Sequence, residues 1–178
     1  MTAVASKTFT MGISEIKLGD IAQDGGMGQT LAALGLTEED SCEITFGEIS
    51  EEDVNVEELD DPFEILKTAG KTTFAFNIVN PTVEGMALVM GGTGTAVDGG
   101  ADTYEAPISL PTIEKSLQIT PRKGFKFEAP RCSINATLTG GYGRKKKLML
   151  RVAGTVLAPT KVNTGKFKLT RLVASNQN

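Results

Sequence analysis

The stretch Arg131–Leu157, RCSINATLTGGYGRKKKLMLRVAGTVL, decides the class of fold. Two runs rich in β-branched and alternating residues, RCSINATLTG and KKLMLRVAGTVL, flank TGGYGR, and glycines between two such runs predict a hairpin loop. The same grammar extends in both directions. YEAPISL, TIEKSLQITP and GFKFEAP precede the stretch and KFKLTRLV follows it, each short and bounded by Gly, Pro or Asn. Strands at this frequency predict a mainly β fold, a β-sandwich or barrel. No repeat of fixed period runs through the chain.

The first half adds strands and one or two short helices. TFTMGISEIKLGDI reads as an N-terminal strand or pair of strands, and SCEITFGEI as a strand with Cys42, Ile44 and Phe46 on one face. KTTFAFNIV alternates Phe74, Phe76 and Ile78 against polar positions, the mark of a half-buried strand. Between these, Met27 to Leu34 suits a short helix or turn closed by Gly35. Asp61 as N-cap, Pro62 at the first position and Gly70 beyond the end bracket PFEILKTA as a helix with Phe63 and Leu66 buried. Asn80-Pro81 repeats the device and opens PTVEGMALVM, a helix that Gly91 ends.

The composition removes whole classes of chemistry. The 178 residues suit one domain spanning 1–178 and contain no histidine, so there is no Ser-His-Asp triad, no Cys-His pair and no imidazole metal site. No catalytic, cofactor-binding or metal-ligating residues are expected. Cys42 and Cys132 stand ninety positions apart, which rules out a metal knuckle or thioredoxin-type motif and suits small buried hydrophobes. No apolar run approaches the ~18 residues a membrane span needs. The start has no basic region followed by an apolar one, so a cytoplasmic origin without membrane contact is the expectation.

The glycine-rich stretch Met86–Pro107, MALVMGGTGTAVDGGADTYEAP, tempts a phosphate-loop reading. A dinucleotide loop needs a strand before its glycines and a helix after them. Here the expected helix comes first and DGGADTYEAP follows, and no Gly-Lys-Ser/Thr is present. Gly91 reads instead as a left-handed helix cap, and the other glycines as a turn.

Charge is distributed unevenly. Residues 1–121 carry 5 Lys+Arg against 21 Asp+Glu, a net of −16, and residues 122–178 carry 13 against 1, a net of +12. From Glu38 to Glu64 there are 13 acidic residues and no Lys or Arg, and the part around 48–60 reads as a long exposed loop or hairpin arm. The basic run Arg144-Lys145-Lys146-Lys147 has only Tyr142 as an aromatic neighbour, so a solvated hairpin or a subunit contact fits it better than nucleic-acid binding. Such asymmetry suits a subunit that meets its own neighbours through opposite charges.

The order of these features resembles the major tail tube proteins of long-tailed, siphovirus-like bacteriophages and prophages. It is carried by EELDDPFEIL, then FAFNIVNPTVEGMALVMGG, a glycine-rich turn, an aromatic residue with AP, and late strands ending in LMLRVAGTVLAP. Tyr104 stands where the family pattern would have tryptophan. The resemblance implies a tail-tube-like β fold without enzyme activity. It also implies hexameric rings that stack head-to-tail into the virion tail, made in the host cytoplasm. DNA would pass through the lumen without specific binding, and tape measure, tail terminator and tail tip proteins would be partners. On that picture an acidic lining would keep phosphates from being gripped. Glu51, Glu52, Asp53, Glu57 and Glu58, with Arg144, Lys145, Lys146 and Lys147, are the expected subunit interface, the acidic loop docking on a basic surface within 122–171. A tail terminator or a capsid decoration protein shares the same profile and is the alternative.

Overall fold

The computed structural model describes residues 9–172. The expectations for residues 1–8, and for Val173 at the end of the last strand, lie outside the described residues. The fold is mainly β, with a curled sheet forming a half-barrel and one helix. Twelve strands are present among the described residues. In chain order they are β1 (Met11–Gly19), β2 (Leu31–Ala33), β3 (Glu43–Phe46), β4 (Ser50–Val54), β5 (Glu64–Thr68) and β6 (Thr72–Ile78). After helix α1 (Val83–Met90) come β7 (Thr93–Thr95), β8 (Thr103–Glu105), β9 (Ile113–Lys123), β10 (Phe125–Gly143), β11 (Lys146–Val156) and β12 (Lys168–Arg171).

The main sheet runs β2-β1-β9-β10-β11-β6-β3, with β12 also on β10. Strand β10 organises it. The runs GFKFEAP and RCSINATLTG, expected as separate strands, are one 19-residue strand. Its pairing with β9 slips between Ala129 and Cys132, where Pro130 has no N–H to give to the ladder. Its first half therefore pairs with β12 and its second half with β11. The expected hairpin forms, but the turn residues are Arg144 and Lys145, displaced by a bulge between Gly140 and Gly143.

The concave side holds the core. On β6, Phe74, Phe76 and Ile78 point inward and meet Leu150 and Val152 of β11, Ile16 and Leu18 of β1, and Leu117 and Phe127. Strict alternation here reflects one covered and one open face of an antiparallel sheet. Cys132 lies fully within this core and Cys42 packs at its edge; both thiols are free. Burial pushes Cys132 up to about 12 and Cys42 up to about 11, so neither supplies a reactive thiolate near neutrality.

One buried polar group ties the loop after β1 to the sheet. Ser116 Oγ accepts from the Gly28 N–H at 2.8 Å and donates to the Pro130 carbonyl at 2.6 Å, with no solvent exposure. Ser116→Ala is expected to cost about 2 kcal/mol in urea unfolding, because it strands a buried donor and a buried acceptor together. A loss under about 0.5 kcal/mol would mean that water reaches both groups.

Four local expectations need correction. Pro62–Ala69 is not a helix: Glu64–Thr68 is β5, paired with β4. A helix this short is marginal alone, and Phe63, Ile65 and Leu66 meet no core that would reward the turn, whereas β4 supplies a complete ladder. Asp61-Pro62 ends the preceding loop instead. Gly70 is needed because Gly47 runs beside it, leaving no space for a Cβ. Met27–Leu34 likewise contains strand β2, paired to the β1 edge.

The helix of PTVEGMALVM does form, but it starts later, at Val83 with Thr82 as the cap whose Oγ1 accepts from the Gly85 N–H at 3.0 Å. The expected cap, Asn80, instead accepts from the Leu36 N–H and pins the loop after β2. Gly91 adopts φ 75° at the helix end, the left-handed region, and donates to the Ala87 carbonyl. Tyr104 of β8 donates its hydroxyl to the Gly91 carbonyl at 2.9 Å, closing the glycine-rich turn back on the helix. Of YEAPISL, only Tyr104 and Glu105 are strand; Pro107 to Leu110 is irregular.

A candidate assembly interface

The acidic stretch becomes a two-stranded arm, β4 and β5, that belongs to no larger sheet. It leaves the main sheet where β3 and β6 end, at the Phe46–Thr72 pair, and Gly47 donates to the Lys71 carbonyl at its root. Glu51, Glu52 and Asp53 lie on β4, and Glu57 and Glu58 lie in the connection to β5; all five are exposed. The arm has one internal ion pair, Glu51 to Lys67 at 2.8 Å.

The register sorts the arm into two faces. Ile65 sits opposite Asp53, and Lys67 opposite Glu51, with Phe63 two residues before Ile65 on the same side. Leu66, opposite Glu52, points the other way. Each face thus combines acids with large apolar groups, and Phe63 is 66% exposed. An isolated hairpin of this size is marginal in water, and large apolar groups exposed on both of its faces give it surface to bury in a contact. The sequence hid the feature because Phe63 and Leu66 satisfied a helical stripe as well as a strand.

The basic run lies elsewhere. Arg144 and Lys145 form the β10–β11 turn, and Lys146 and Lys147 open β11; all four are exposed. This turn extends past the Leu150–Ile78 pair, the end of β6 opposite to the arm root. The two sets of expected interface residues are therefore at opposite ends of the sheet and do not meet within one chain. Lys147 reaches Glu38 at 3.2 Å, and Asn77 Nδ2 donates to the same carboxylate at 2.8 Å. The Asn77 hydrogen bond, then Lys147, holds Glu38 below the ordinary glutamate range. That contribution is present above the ordinary value and is lost as pH falls through the lowered one.

A second cationic region escaped the sequence reading. At the β9–β10 turn, Arg122 and Lys123 stand beside Phe125, and Lys123 Nζ lies 4.6 Å above the Phe9 ring. The signal lies in PRKGFKF, where cations and aromatics interleave as they do not around RKKK. This turn borders a groove of about 770 Å³ between the start of β1 and the loop before β3, floored by Ile44, Ile119 and Phe127. Among the described residues, no group of His, Cys, Asp or Glu could hold a metal ion, and no helix is long and apolar enough to cross a membrane. No protein-family model matches the chain, and no curated protein matches it.

Proposed function

We propose that this protein is a structural subunit of a tail tube of the long-tailed phage type, assembling into hexameric rings that stack head-to-tail. The observation that carries the reading is the arm: an acidic, apolar hairpin that leaves one end of the sheet and that nothing among the described residues covers. Basic turns occupy other parts of the same molecule. A contact between unlike surfaces of identical chains is heterologous, and it propagates into a ring or a filament. Among the described residues β2 and β3 are the edges of the main sheet, whose backbone groups neighbouring subunits can complete.

The convex face of the sheet suits a conduit for DNA. Ser133, Thr155, Thr73 and Thr45 stand in register across β10, β11, β6 and β3, and the next row is Asn135, Ala153, Ala75 and Glu43. The row after that brings one exposed cation, Arg151, between Thr137 and Asn77; the hydroxyl, amide and methyl groups of the other rows offer none, so a strand sliding past them would release few counterions and be held weakly. An acid-lined lumen is not required for that.

Sedimentation against salt tests the reading. Raising ionic strength from about 0.05 to 0.5 M shortens the Debye length about threefold and is expected to shift the protein from large assemblies toward monomer. Assemblies indifferent to salt would remove charge from the contact.

A further inference from the structure

We infer that the seat for the arm of a second copy is the uncovered inner face at the β9–β10 turn, not the Arg144–Lys147 turn; this rests on the reading that the arm reaches another subunit. Met11 pairs with Lys123, Phe125 with Arg171, and Phe127 with Leu169. Phe127 and Ile119 point into the core, so Met11, Lys123, Phe125 and Leu169 continue the core face beyond the core. Among the described residues nothing covers it there: Met11 is 56%, Phe125 40% and Leu169 49% exposed.

The match to the arm is one of both chemistry and charge. The arm face bearing Phe63 and Ile65 carries Glu51 and Asp53 beside them, with Lys67 on Glu51, so Asp53 is the acid left without a cation on that face. The seat offers apolar groups with Lys123 among them and Arg122 adjacent. At the Arg144–Lys147 turn the exposed apolar groups on the same hairpin are Tyr142 and Leu138, fewer than the arm presents. The opposite wall of the groove is acidic, with Glu38, Glu39 and Asp40. Like-charge repulsion there sets the arm's orientation, its acids toward Arg122 and Lys123.

Charge exchange between copies tests the seat. Three variants are needed: arm-reversed (Glu51→Lys, Asp53→Lys), seat-reversed (Arg122→Glu, Lys123→Glu) and turn-reversed (Lys145→Glu, Lys146→Glu). All six positions are exposed, and a circular-dichroism melt confirms that each variant folds. Association is read by sedimentation velocity, each variant alone and in equimolar mixture. Arm-reversed and seat-reversed proteins should each associate at least ~10-fold more weakly than wild type. Mixed, they should regain association, because the reversed arm fits the reversed seat and the native arm fits the native seat. The turn-reversed protein alone should associate as the wild type does. Weakened association by the turn-reversed protein alone, or wild-type association by the seat-reversed protein alone, overturns the assignment. The readout is pairwise binding and does not require filaments. A wild type that never forms filaments would count against the tube while the mixtures still decide the seat.

Discussion

Replacing Glu51, Glu52 and Asp53 together by lysine is expected to abolish self-assembly while leaving the fold intact. Residues 48–64 hold nine acids and no Lys or Arg, a net of −9, and three reversals bring it to −3. The change falls on the strand that presents the arm, so the potential reverses where contact is made. Steering and register both depend on that potential, and like charges brought together at an interface cost several kcal/mol. Folding has little stake in it. All three side chains are exposed, and no core residue lies on β4 or β5. The internal loss is the Glu51–Lys67 pair, at 52% and 63% side-chain exposure, which is small for an exposed pair. Light scattering should report monomers at concentrations where the wild type is assembled, with an unchanged thermal melt. Assembly as efficient as wild type would remove the arm from the interface.

Phe76→Ala is expected to do the reverse, costing about 4 kcal/mol of folding stability. Phe76 is 1% exposed in the middle of β6, with Phe74 at 6.1 Å between ring centroids and Val152 directly across on β11. Removing the ring leaves a cavity in a sheet whose backbone ladders hold it open, so the walls cannot collapse to fill it. Domains of ordinary size have only ~5–15 kcal/mol to lose, so the variant should unfold at markedly lower urea. Phe63→Ala is the paired comparison. Its 66% exposed ring should cost the monomer under about 0.5 kcal/mol yet weaken assembly. A Phe76→Ala loss below about 1 kcal/mol would mean that the concave side is loosely packed.

The class of fold was legible because alternation is a direct record of a half-covered sheet. TTFAFNI reads the same in sequence and in structure, and so do the two runs around the β10–β11 turn. What sequence could not supply was partnership. PFEILKTA carries valid caps for a helix, and only the ladder with β4, which pairs Ser50 with Thr68 and Val54 with Glu64, turns it into a strand. Asn80-Pro81 looked like a cap because the tertiary role of Asn80, holding the Leu36 N–H, leaves no local trace. Nor did charge runs announce where they would sit. The acids of 48–60 were plain, but that they share a hairpin with exposed Phe63, Ile65 and Leu66 follows only once β5 is a strand. The seat was equally hidden, since Met11, Lys123, Phe125 and Leu169 come from four strands and become one face through register alone.

The most direct measurement is negative-stain electron microscopy of the purified protein across a concentration series, with end-on views classified for symmetry. Hollow filaments of stacked sixfold rings that lengthen with concentration are the expected result. A closed small oligomer that never elongates at any concentration contradicts the tube and points instead to a terminator or decoration role.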